Sequence, residues 1–136
     1  MKLNELRNGV VASPWSTANF VRSQLANALR SKDSKQVNMI VGGFGAEGDA
    51  HPGPQVYFID YLASLARVPF ATQGYGGMFT SSLLDKHYKP GMNYEEVKSL
   101  MKRCIEEAQK RLLVQMPNFK VRIVDKDGVR VIEDFF

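Results

Sequence analysis

The sequence has one cysteine, Cys104, two histidines and one tryptophan, and it lacks any long uninterrupted apolar run. A single cysteine excludes an internal disulfide and fits a reducing compartment. Apolar stretches are broken by Asp60, Arg67 or glycine, so none approaches the ~20 residues a membrane-spanning helix needs. The opening MKLNELRNGVV holds no apolar stretch of signal-peptide length. These absences lead us to expect a soluble protein of the cytoplasm and nucleus, with no membrane partner. Histidine is scarce as well. His51 stands near Glu47 and Asp49 in a Gly- and Pro-rich turn and His87 lies far off in sequence, so no metal is expected.

Charge of one sign is not scarce, but it is dispersed. Lysine and arginine number 18 against 14 acidic residues, a net charge of +4. Lys2, Arg7, Arg22, Arg30, Lys32 and Lys35 are scattered. The denser set from Lys86 to Arg111 alternates with Glu95, Glu96, Glu106 and Glu107. Such mixing describes a solvated helix face, so no nucleic acid is expected. A basic surface of this kind can equally meet acidic neighbours in an assembly. With 136 residues, 44% of them hydrophobic, one modest core and a single domain, 1–136, are expected.

Several segments carry clear local signals. Ser13-Pro14 combines a hydroxyl N-cap with proline at the first helical position. Trp15, Ala18, Val21, Leu25 and Leu29 then recur at helical spacing, predicting a helix to about Ser31. Val37–Val41 reads as a short strand ending at Gly42-Gly43. In Gln55–Tyr61, Val56, Phe58 and Asp60 alternate with Tyr57, Ile59 and Tyr61. Both faces are largely apolar, which predicts a strand covered on both sides. Phe70–Gln73 reads as a further strand, followed by the pivot Gly74, Gly76, Gly77 and a short helix over Met78–Tyr88. Asn93 with Glu96 forms a capping-box pattern. Val97, Leu100, Met101, Cys104, Ile105, Ala108 and Leu112 then make one apolar stripe of a long amphipathic helix. Phe119–Val124 and Val129–Ile132 flank Asp125-Lys126-Asp127-Gly128, a hairpin signal. The order is helix, three strands, two helices, two strands. Short links favour antiparallel pairing and therefore an α+β fold.

Candidate chemistry is sparse. Val41-Gly42-Gly43-Phe44-Gly45 superficially suggests a phosphate-binding loop. It lacks a following helix and the Lys-Ser/Thr pair of such loops, so a hairpin or plain loop is expected there. An independent small hydrolase or nucleotide-binding enzyme built on the Gly42–Gly45 loop and His51 stands as the alternative function. Cys104 sits on the apolar stripe, as a buried and inert thiol would. Tyr57, Phe58, Tyr61 and Phe70 read as core rather than as a base-stacking platform.

The stretch YFIDYLASLARVPFATQGYG from Tyr57 to Gly76 resembles the β-type subunits of the 20S proteasome, and most of all their beta type-2 branch, which occupies the fourth ring position. RNGVVASPWSTANFVRSQLANALRS upstream and CIEEAQKRLLVQMPNFKVRIVDKDG downstream strengthen the resemblance. It runs from about Met1 to Ile132. It implies an N-terminal nucleophile hydrolase-like four-layer αββα sandwich of antiparallel sheets, incomplete at the N-terminus. Met1–Gly9 would be the end of the family's first helix, with roughly a third of the domain missing before it and sheet edges exposed as a result.

The resemblance also bears on chemistry. The family's active members attack with an amino-terminal threonine whose own amine serves as base. This chain starts Met1-Lys2, and Thr17 lies inside a helix pattern. A family Gly-Ser-Gly is replaced by Gly74-Tyr75-Gly76. Leu112 follows Arg111 where an aspartate is expected, and Gln115 stands for a serine. With Tyr75, Leu112 and Gln115 at the support positions, the resemblance implies no catalytic residues, no cofactor and no metal. The implied role is that of a non-catalytic subunit that helps enclose the proteolytic chamber. Its implied partners are the other proteasome α and β subunits of a 28-subunit stacked-ring complex.

Overall fold

The computed structural model describes residues 2–114, 116–133 and 135. They form two compact units, Met1–Ala71 with Val124–Val129, and Thr72–Ile123 with Arg130–Phe136. Helices and antiparallel sheet are both present, and the class is α+β.

The first unit opens with α1 (Lys2–Asn8) and α2 (Pro14–Ala28). Pro14 occupies the first turn of α2, and Ser13 caps it by accepting from the Ser16 amide at 3.2 Å. These groups satisfy donors that a helix start leaves open. Three strands follow, β1 (Met39–Gly45), β2 (Gly53–Ile59) and β3 (Leu65–Arg67), in the order β1-β2-β3. Met39 pairs with Ile59 and Gly45 with Gly53 in the antiparallel β1–β2 ladder, and Ile59 pairs with Leu65 on the other side. Helix α2 lies across all three strands. Ala18 and Leu25 of the helix meet Tyr57 and Ile59 of β2, with Val21, Val41, Ala63 and Leu65 around them. Burying each large side chain in such a cluster contributes about 1.5–3 kcal/mol.

Three expectations need correction. Strand β1 runs on through Gly42–Gly45, because these glycines pair with Val56, Gln55, Pro54 and Gly53 opposite. Phe70–Gln73 is not a strand; the third strand is Leu65–Arg67. The cause is the Asp60 side chain, which accepts from the amides of Leu62 and Ser64 at 3.0 and 2.8 Å and folds the chain back at once. The last ladder-like bond, Val68 N–H to the Val56 carbonyl at 2.9 Å, stops at Pro69, which has no N–H to give. Finally, only one face of β2 is fully buried. Gln55, Tyr57 and Ile59 are buried, whereas Val56 and Phe58 are half-buried.

In the second unit α3 (Gly77–His87) packs on α4 (Tyr94–Arg111). The capping box of α4 is complete: Asn93 Oδ1 accepts from Glu96 N at 3.0 Å, and Glu96 Oε2 accepts from Asn93 N at 2.7 Å. Leu100, Cys104, Ile105 and Ala108 form its buried stripe, and Val97 and Met101 lie on the exposed margin. The last two strands, β4 (Val121–Asp125) and β5 (Gly128–Ile132), form a two-stranded sheet. At their turn Asp125 Oδ1 accepts from Asp127 N at 2.9 Å, and Gly128 takes φ +106°.

Candidate functional site

The glycine pivot before α3 combines a left-handed backbone turn with a close backbone approach. Gly74 has φ +74°, and its carbonyl accepts from Gly77 N at 3.1 Å. A Cβ on Gly77 would meet Thr72 Oγ1 at 3.1 Å and the Thr72 carbonyl carbon at 3.3 Å, so the close passage of the backbone leaves little room for a side chain there. Thr72 Oγ1 donates to the Gly77 carbonyl at 3.3 Å, and Thr80 Oγ1 donates to the Gly76 carbonyl at 3.0 Å. A hydroxyl whose proton is held by a backbone carbonyl acts as a structural clasp rather than as an activated nucleophile.

The structure brings two of the three support positions into one unit beside this pivot. Leu112 caps α4 and is half-buried; a Cβ placed on Gly76 would lie 3.9 Å from its Cδ1 and 3.8 Å from the Ala108 methyl. Tyr75 is 81% exposed and contributes no packing at the pivot. Gln115 lies outside the described residues. Next to Leu112, Arg111 Nε donates to Glu107 Oε1 at 2.8 Å, one turn back on α4. The guanidinium is thus answered by its own helix, in an exposed pair worth about 0–1 kcal/mol. Leucine offers neither acceptor nor charge, so Leu112 cannot orient a lysine or a hydroxyl.

The glycine-rich stretch in the first unit is equally closed to chemistry. Within β1 it is extended backbone paired along one side with β2, which is not the conformation of an anion-binding nest. A Cβ at Gly45 would collide with the His51 carbonyl and the Gln55 amide nitrogen, so this glycine is fixed by close approach. The His51 carbonyl accepts from Gln55 Nε2, and Tyr57 Oη donates to Gln55 Oε1 at 2.5 Å. The His51 ring meets Trp15 edge-on, centroids 5.1 Å apart at 76°, and Trp15 lies 5.7 Å from Tyr57. Among the described residues no group of three or more His, Cys, Asp or Glu side chains could hold a metal ion. An open groove of about 790 Å³ runs along Phe44–Glu47 and the Asp125–Gly128 turn, and no hydroxyl, thiol or imidazole lines it.

Cys104 is 5% exposed, and burial pushes its thiol above the ordinary value of 9.0 against the opposing pull of Arg103. That is the setting of an unreactive cysteine. The Gln55–Tyr57–His51 relay escaped the reading of the sequence. The signal for it was present, since the alternation that buries Tyr57 and Ile59 also buries Gln55.

Comparison with known proteins agrees with this frame. Residues 1–124 match the family model described as Proteasome subunit. The chain is 39% identical over 135 residues to proteasome subunit beta type-4 of Saccharomyces cerevisiae, covering 99% of this chain and 67% of that protein. It is 42% identical over 130 residues to proteasome subunit beta type-2-B of Arabidopsis thaliana, covering 96% of this chain and 63% of the relative. With proteasome subunit beta type-2 of Trypanosoma brucei brucei it shares 37% over 139 residues, covering 98% and 68%. The chain belongs to the proteasome subunit family. It spans about two thirds of the length of these curated relatives.

Proposed function

We propose that this chain serves as a non-catalytic structural subunit of the 20S proteasome core particle. In that role it forms part of the β ring that encloses the chamber for ubiquitin-dependent protein degradation. Its fold in the assembly is the N-terminal nucleophile hydrolase-like αββα sandwich, and its neighbours are the α and β subunits of a 28-subunit stack of rings. The cytoplasm and nucleus are its compartments. The observation that carries the reading is the family match over residues 1–124 joined to Leu112 beside the Gly76 pivot, a side chain that offers neither acceptor nor charge. Near that pivot the Thr72 and Thr80 hydroxyls donate their protons to backbone carbonyls. Work of this kind is done by packing surfaces: apolar burial with a polar rim.

An electrophilic probe that forms an adduct with amino-terminal threonines separates this reading from a catalytic one. In particles containing the chain, we expect adducts on other β subunits and none on this one. An adduct on this chain would overturn the non-catalytic assignment.

A further inference from the structure

Four nitrogen-bearing side chains gather where the C-terminal end of α3 meets the middle of α4, all within the second unit: Lys86, His87, Lys89 and Arg103. Arg103 Nη2 lies 3.1 Å from His87 Nε2. An arginine has only donors and stays charged, so the guanidinium donates and a neutral imidazole accepts. Desolvation, then the charges of Arg103, Lys86 and Lys89, hold His87 below its ordinary 6.5, which keeps it an acceptor at neutral pH. None of the three cations is ion-paired with a described carboxylate, although Asp85 adjoins Lys86 in sequence. Arg111 further along α4, by contrast, has found Glu107.

The negative end of the α3 dipole accounts for Lys86 and His87 in its last turn. It does not account for Arg103, which comes from another helix. That guanidinium uses one donor on His87 and presents the rest of a planar fork at an exposed position. A fork held in place and flanked by two ammonium groups suits a carboxylate bound through two parallel hydrogen bonds. We infer that Arg103, oriented by His87 and flanked by Lys86 and Lys89, is a docking point for an acidic segment of a neighbouring protein subunit. The identity of the neighbour as a proteasome subunit rests on the reading above. A nucleic acid fits less well, because a phosphate backbone calls for an extended basic stripe, whereas these cations gather at one point on a helix whose charges alternate in sign.

The test is fluorescence anisotropy of a labelled hexaglutamate peptide with the full chain at low salt. Arg103→Lys keeps the charge and loses the fork, and it should weaken binding about tenfold. Lys86→Glu/Lys89→Glu should weaken it at least as much, while the charge-matched control Lys32→Glu/Lys35→Glu stays within about twofold. His87→Leu should weaken binding and His87→Gln, which restores an acceptor, should recover it, with the far-UV spectrum unchanged in both. The inference falls if the control loses as much as the cluster variants, or if Arg103→Lys binds like the parent. It also falls if an oligothymidylate of equal charge displaces the peptide at lower concentration. A fork-dependent hexaglutamate site in a chain that stays outside proteasome particles would count against the assembly reading and not against the site.

Discussion

Tyr57 is the residue on which the first unit turns. It is fully buried at the centre of β2, packs against Trp15, and hydrogen-bonds Gln55, itself only 3% exposed. Tyr57→Phe keeps the ring and strands the Gln55 carbonyl oxygen. We expect a loss of about 1–3 kcal/mol, read as a lower urea midpoint with an unchanged m-value. An unchanged midpoint would mean the buried bond contributes nothing. Cys104 provides the pH-dependent counterpart. Its folded pKa lies above the unfolded value, so its contribution to stability is present below pH 9.0 and lost as pH rises through the folded value. At pH 7.5 iodoacetamide should modify it about tenfold or more slowly in the folded chain than in urea. Equal rates would place the thiol at the surface.

At the scale of elements, α4 depends most visibly on its first turn. Asn93→Ala removes one half of the capping box and should lower stability by about 1 kcal/mol. The same denaturation curves measure it, and no shift would mean that packing of Leu100 and Ile105 alone sets the helix. This helix was fully legible in the sequence, because cap, stripe and length all point the same way. The start of α2 was legible for the same reason, in Ser13-Pro14. The third strand was not. Ser64-Leu65-Ala66-Arg67 carries no strand pattern of its own, and its pairing is imposed by a turn that Asp60 makes with its side chain. The run of glycines in β1 failed in the opposite sense. Their composition reads as a loop, and their pairing with β2 makes them strand. Around the pivot, the identities of Tyr75 and Leu112 could be read directly, whereas the Thr72 hydroxyl clasp depends on a close backbone passage that no local pattern encodes.

At the scale of the whole molecule, the described residues leave apolar side chains outward that a self-contained protein tends to cover. Tyr75, Met78 and Leu113 are 81, 78 and 102% exposed, and Met39, Ile40 and Phe44 lie on β1, an edge strand of its sheet. Exposed edges and apolar patches of this sort suit a subunit that meets neighbours. The chain belongs to the proteasome subunit family, and the proposed role gives these surfaces neighbours to meet. The most direct test is to express the tagged chain in cells, isolate proteasome particles by native separation, and identify the chains they contain by mass spectrometry. The account predicts the tagged chain inside the particle, in fixed ratio to the other β subunits. Fully assembled particles that lack it, with the tagged chain plentiful in the same lysate, would contradict the account.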